Sequence, residues 1–268
     1  MKLKYADIGG QKLGFFFSHN PGKPIVLIHG LLDHSFGYRR IVPLIDKGYQ
    51  VILVDIPGFG KSKFPKKIKF LYQVDVFAEM ILNALRVLNL KNVTLVGHSM
   101  GGLICQHIAI LDKKREFNHI EKLILLSTGG IPHPKKEKIR NILFPKSERE
   151  VTRLLKYLYY EDVPEPDSLS KKSLIHAWNK ITYMYLAENT ITREHEIFLG
   201  RKASSIHVPT LIISGKNDTI TNPNMMTAIH SYIENSQLIL LEKAKHAIHI
   251  EKPHDVANAI NCFLSNHG

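Results

Sequence analysis

The sequence predicts an α/β fold: a mostly parallel sheet flanked by helices, with a helical segment inserted near the middle of the chain. Three observations carry that expectation. Short β-branched apolar runs alternate with longer segments of helical period. Most of these runs end on glycine, proline or small polar residues. One interval of about 80 residues, between runs at 122–127 and 209–215, holds only helical patches. Near-continuous apolar strands suit a parallel sheet covered on both faces, and the helices between them suit its crossovers.

Taken in order, residues 13–19 read as an entering strand, placed as an antiparallel start to the sheet. The runs at 24–29, 50–55, 93–97, 122–127, 209–215 and 237–241 read as core strands. Helical period is clearest over 71–89. There Val74, Phe77, Ala78, Ile81, Leu82, Leu85 and Leu88 form one wide apolar stripe that predicts packing on a sheet. Residues 103–111 and 256–264 are shorter helical stretches. Cys105 and Cys262 fall in them and read as core-packed thiols. The long interval carries helical patches at 135–141, 148–160, 168–187 and 193–202, punctuated by five prolines from Pro132 to Pro166. An ordinary connection spans only a few residues. Residues 130–205 are therefore expected to form a helical cap, inserted into a core of residues 1–129 and 206–268. Its Tyr and Leu residues, with Trp178 and Met184, divide between packing on the core and lining an apolar acyl pocket.

Composition narrows the class. The chain has 268 residues, 44% hydrophobic and 22% charged, which excludes a disordered or collagen-like chain. Two cysteines exclude a disulfide scaffold or a Cys-rich zinc module. No apolar run reaches the length of a membrane span, and the N-terminus lacks the apolar stretch of a secretory signal, so a cytoplasmic location is expected.

The strongest local signal is Gly97-His98-Ser99-Met100-Gly101-Gly102, between an apolar strand and a helical stretch. A serine on a sharp strand-to-helix turn needs small neighbours, and Gly97 and Gly101 supply them. The helix start behind it offers free N–H groups to a developing negative charge. Serine is a poor nucleophile alone and needs a base. With 15 histidines, position must choose one. Asp218 follows the strand at 209–215, and His246 follows the strand at 237–241. The carboxyl ends of parallel strands face the ligand crevice, so Ser99, Asp218 and His246 can converge there. His249 is the rival base, and His98 reads as a packing or supporting residue.

With these motifs the sequence resembles the α/β-hydrolase superfamily, in its branch with a serine nucleophile and a helical cap. The matching stretch runs from about Ile25 to Asn261. It takes in His29-Gly30, Asp55-Ile56-Pro57-Gly58-Phe59-Gly60-Lys61-Ser62, the turn at Ser99, Gly215-Lys216-Asn217-Asp218, and His246 with Glu251-Lys252-Pro253. The order serine, acid, histidine is the family's. The resemblance implies that Ser99 attacks an acyl carbonyl, His246 is its base and Asp218 orients His246. The Met100 N–H and the Leu31 N–H, with Leu32 as fallback, would form the oxyanion hole. The Gly-His-Ser-Met-Gly-Gly form resembles carboxylesterases and monoacylglycerol lipases, which implies ester cleavage without a cofactor. Two alternatives stay open: a carbon–carbon bond hydrolase, against which His98 counts, and a non-catalytic binding protein of the same fold. Ala244-Lys245 stands before His246 where many relatives have glycine.

Two decoys are set aside. Gly60-Lys61-Ser62 lacks the phosphate-loop glycine four positions earlier than its first residue's neighbour Phe59, where Asp55 stands, so nucleotide binding is not expected. No His-Glu-x-x-His or comparable ligand spacing occurs, so no metal is expected. Net charge is +12, from 36 basic and 24 acidic residues. No nucleic-acid module accompanies it. A solvated basic surface is the plain reading of Lys61–Lys69 and Lys135–Arg140. The sharper reading is attraction of an acidic partner, anionic lipid or an acyl carrier protein, to the cap. The expected substrate is a small-molecule or lipid ester.

Overall fold

The computed structural model describes residues 1–161 and 163–266. Eight strands form one sheet in the order β1-β2-β4-β3-β5-β6-β7-β8. They are β1 (Lys2–Ile8), β2 (Gln11–Phe17), β3 (Lys23–Ile28), β4 (Tyr49–Val54), β5 (Val93–His98), β6 (Ile120–Leu126), β7 (Thr210–Gly215) and β8 (Ser236–Leu241). The β1/β2 and β2/β4 pairs are antiparallel, and every pair from β4 to β8 is parallel. β3 starts the parallel set, β4 lies on one side of it and β5 on the other. The chain thus reverses its winding direction at β3, and a crevice opens between the carboxyl ends of β3 and β5.

β5 and β7 are buried along their whole length, as their apolar runs predict. β8 is a half-exposed edge strand rather than one apolar on both faces. Two apolar clusters cover the sheet. One includes Val26, Ile28, Leu95 and Leu123, with α1 (Val74–Val87) and α2 (Met100–Lys114) packed on it. The other includes Ile25, Leu27, Val96 and Ile213, with α10 (Pro253–Asn266). The stripe expected on α1 is buried as Val74, Phe77, Ala78, Ile81, Leu82 and Leu85. Cys105 is buried, but Cys262 is exposed. The expectation for Cys262 was wrong because α10 buries Val256, Ala257, Ile260, Phe263 and Leu264, which leaves position 262 on the solvent side.

Between β6 and β7 the chain carries α3 (Lys136–Leu143), α4 (Glu148–Leu158), α5 (Ser168–Trp178), α6 (Ile181–Thr192), α7 (Glu194–Ile197) and a 3₁₀ segment, Gly200–Ser205. The stretch at 168–187 is two helices rather than one. Asn179 caps α5 by donating from Nδ2 to the Ile175 and Pro145 carbonyls, at 2.8 and 2.7 Å, and Lys180 turns to extended backbone. These helices are fastened to the rest of the chain. Trp178 Nε1 donates to the Leu32 carbonyl at 3.1 Å, and Asn189 Nδ2 donates to those of Lys69 and Tyr72. Tyr183 stacks on Phe59 with ring centroids 4.1 Å apart. The final helical elements are α8 (Pro223–Tyr232), α9 (Ile248–Glu251) and α10.

Candidate active site

Ser99 sits between β5 and α2 with φ 53° and ψ −117°. A left-handed φ on a non-glycine residue is strained, and such strain concentrates at functional sites. The surrounding glycines allow the turn. A Cβ on Gly97 would lie 2.4 Å from the Gly101 carbonyl oxygen, and one on Gly101 would lie 2.1 Å from that of Ile28. Any side chain at either position would push the turn off β3 or off its own helix.

The ends of β7 and β8 bring two more groups to Ser99. His246 Nε2 lies 3.0 Å from Ser99 Oγ. His246 Nδ1 lies 2.8 Å from Asp218 Oδ2. A carboxylate accepts, so Nδ1 is the donor of that pair, and Nε2 is the ring atom that faces the serine hydroxyl. Asp218 is held in turn: Oδ1 accepts from the N–H groups of Ile220 and Thr221, at 2.7 and 3.1 Å. Thr221 Oγ1 lies 2.8 Å from Asp218 Oδ2 and 3.0 Å from the Ser127 carbonyl. Asp218 and His246 are both buried.

Support for the loop before α9 comes from two directions. His98 Nε2 donates to the His246 carbonyl at 3.0 Å. Burial first, then the neighbouring His249 and His246, holds His98 well below the ordinary imidazole range, so the ring is neutral. The Glu251 carboxylate accepts from the N–H groups of Lys245, at 2.8 Å, and Tyr160. Glu251 therefore ties the loop carrying His246 to the end of α4. His246, not His249, makes the contact with the serine hydroxyl. His249 is buried, its ring centroid lies 4.3 Å from that of His98, and its Nε2 stands 3.8 Å from Asp33.

The turn after β3 faces Ser99. A Cβ on Gly30 would lie 3.0 Å from His98 Nδ1 and 3.4 Å from Ser99 Cβ. His29 braces this turn. Its Nδ1 donates to the Gly30 carbonyl at 2.8 Å, and its Nε2 accepts from the Ile56 N–H at 3.1 Å. That bonding pattern fixes one neutral tautomer, and burial lowers the ring's pKa in the same direction. The Asp55–Ser62 segment is a folded loop rather than a phosphate cradle. The Asp55 carboxylate accepts from the Ser35 and Lys61 N–H groups, at 2.8 and 2.7 Å. A Cβ on Gly60 would meet that carboxylate.

Leu31 and Met100, the expected oxyanion donors, both line a cavity of about 160 Å³ above Ser99. Met100 is the first residue of α2, where an N–H has no intrahelical carbonyl to bond. The cavity walls are largely apolar: Leu103, Ile131, Leu143, Phe144, Ile191 and Phe198 take part. Lys136, Arg140, Glu194 and His133 are its charged or titratable members. Trp178 and Met184 are not among the lining residues. Among the described residues no group of three or more His, Cys, Asp or Glu side chains could hold a metal ion. No helix among them is long and apolar enough to cross a membrane.

Thr221 and Glu251 support the site through contacts that only folding creates. Glu251 was visible as part of a sequence motif, but its hold on Lys245 and Tyr160 was not. Thr221 carried no signal beyond its place three residues after Asp218.

A doubly wound sheet whose strand ends carry a strained serine beside a histidine and a buried carboxylate defines a hydrolase-like architecture. The chain has the α/β-hydrolase fold. The model of the alpha/beta hydrolase fold matches residues 23–154. A 2-hydroxy-6-oxo-6-(2'-aminophenyl)hexa-2,4-dienoic acid hydrolase of Metapseudomonas resinovorans is 26% identical, over 98% of this chain and 90% of that protein. A monoacylglycerol lipase of Mus musculus is 24% identical, over 99% of this chain and 83% of that protein. The crystal structure of a bacterial membrane phospholipase A superposes with a TM-score of 0.86 at 22% identity, covering 99% of this chain and 86% of that one.

Proposed function

We propose that the protein is a serine hydrolase that cleaves carboxylic esters through an acyl-enzyme. The observation that carries this reading is the continuous chain of contacts from Ser99 Oγ through His246 to Asp218, at 3.0 and 2.8 Å. In this reading Ser99 attacks the acyl carbonyl as His246 Nε2 takes its proton. His246 then delivers that proton to the leaving alcohol, and a water attacks the acyl-enzyme by the same route in reverse. Asp218 keeps the imidazole in the required tautomer and stabilises the imidazolium. The N–H groups of Met100 and Leu31 receive the oxyanion. The helices from 130 to 205 act as a cap, and the apolar cavity beneath them receives the acyl group.

The monoacylglycerol lipase likeness supports ester chemistry. The dienoic acid hydrolase likeness supports a second reading, a carbon–carbon bond hydrolase using the same three residues. His98 favours the ester. A panel of p-nitrophenyl esters against a vinylogous diketone tests the choice: ester turnover lost in Ser99→Ala is expected. Turnover of the diketone alone would overturn it in favour of the second reading.

A further inference from the structure

A second cavity, of about 600 Å³, abuts the one over Ser99. His133 and Ile139 line both. The second is lined by Lys135, Lys138, Arg153, Lys156 and Lys245, and by no acidic residue. Helix α3 and the residue before it form the partition. Lys136, Ile139, Arg140 and Leu143, three and four apart, face the Ser99 cavity, while Lys135 and Lys138 face the basic one. Helix α4 brings Arg153 and Lys156, and the loop before His246 brings Lys245.

Direct counter-charges are scarce among these cations, although Lys156 lies in the field of Glu165. Lys135, Lys138, Arg153 and Lys156 take part in no ion pair among the described residues, whereas Lys136 is paired with Glu194 at 2.7 Å. Lys245 Nζ donates only to a carbonyl, that of Lys156, at 2.6 Å. Nearby Glu165 is turned to Lys171 and Thr152. Five cations around one cavity repel each other unless an anion joins them, and a guanidinium among ammonium groups suits a phosphate.

We propose that this basic cavity seats the phosphate of the substrate's headgroup, so that the substrate is a single-chain acyl ester carrying a phosphate. The acyl chain occupies the apolar cavity over Ser99, and the phosphate lies on the other side of that partition, where His133 and Ile139 line both cavities. The proposal rests on the ester-hydrolase reading above. Water adds across the acyl C–O bond: hydroxyl goes to the acyl carbon, hydrogen to the alcohol, and the phosphate monoester leaves intact.

Two measurements test it. In Ser99→Ala, dodecyl phosphate is expected to bind about tenfold more tightly than dodecyl maltoside at low salt, by calorimetry below the micelle concentration. The double variant Lys138→Glu/Arg153→Glu should lose that preference, and Lys113→Glu/Lys114→Glu at the far end of α2 should keep it. No preference, a preference that survives in the first variant, or inorganic phosphate bound as tightly as dodecyl phosphate each overturns the headgroup site. In the wild-type chain, a monoacylglycerol phosphate should show about tenfold higher kcat/KM than the matching monoacylglycerol. Equal kcat/KM overturns the substrate class. Hydrolysis of neither ester, with Ser99 unreactive to acylating probes, overturns the ester reading instead, and the binding measurement still decides the site.

Discussion

The polar groups around Ser99 are held from several sides, whereas α3, α4 and α5, the first helices between β6 and β7, bury little. Asp218 alone has contacts from the Ile220 and Thr221 N–H groups, the Thr221 hydroxyl and His246. In contrast α3 buries Ile142, α4 buries Val151 and Leu154, and α5 buries only Lys171. A site whose orienting groups are fixed by strand ends resists reshaping. A surface built from amphipathic helices with exposed charges can change while the reacting groups stay in place. On the proposed reading, chemistry belongs to the first region and substrate choice to the second.

The sharpest way to break this division is to remove the reacting groups. Ser99→Ala or His246→Ala should lower kcat/KM by about 10⁴-fold or more, and Asp218→Asn by about 10³–10⁴-fold, with the fold intact by circular dichroism. His249→Ala should cost less than about tenfold, because its ring lies beside His98 and Asp33 and it is His246 that makes the contact with Ser99. A larger loss at His249 than at His246 would move the base. A backbone substitution is next in size. Gly101→Ala should destabilise the fold by at least about 2 kcal/mol in urea titration, since its Cβ would press on the Ile28 carbonyl.

The pH response separates the regions again. Burial lowers the pKa of His29, His98 and His107 from 6.5. The unfolded chain binds protons at these rings before the native state does. Stability they contribute is therefore full above pH 6.5 and falls as the pH drops below it. A denaturation midpoint that stays flat from about pH 7 to 5 would contradict that sign. The smallest expected effect lies in the inserted region. Trp178→Phe removes one N–H bond to the Leu32 carbonyl and should cost about 1 kcal/mol. If the helices choose the substrate, this variant should change KM for long-chain esters more than kcat.

The sequence shows the site better than it shows the edges of the fold. Gly97 and Gly101 mark Ser99 because only glycine avoids the backbone there. Asp218 and His246 are legible because apolar runs end just before them. β1 is not legible as a strand. It lies at the sheet edge with only Ala6 buried, so it has no apolar run, and its one signal is the Gly9-Gly10 turn, where φ is 59° and 82°. The break at Asn179 is equally hidden, because it depends on a carbonyl of Pro145 far along the chain. Cys262 was misread because a short helical pattern shows which residues can be buried, not which side of a helix meets the sheet.

The central claim is that Ser99 is an activated nucleophile. Incubation with a fluorophosphonate probe, followed by peptide mass spectrometry, tests it directly. The account predicts one adduct per chain, on Ser99, lost in Ser99→Ala and strongly slowed in His246→Ala. Folded wild-type protein that takes up no probe, or labelling that persists in Ser99→Ala, would contradict it.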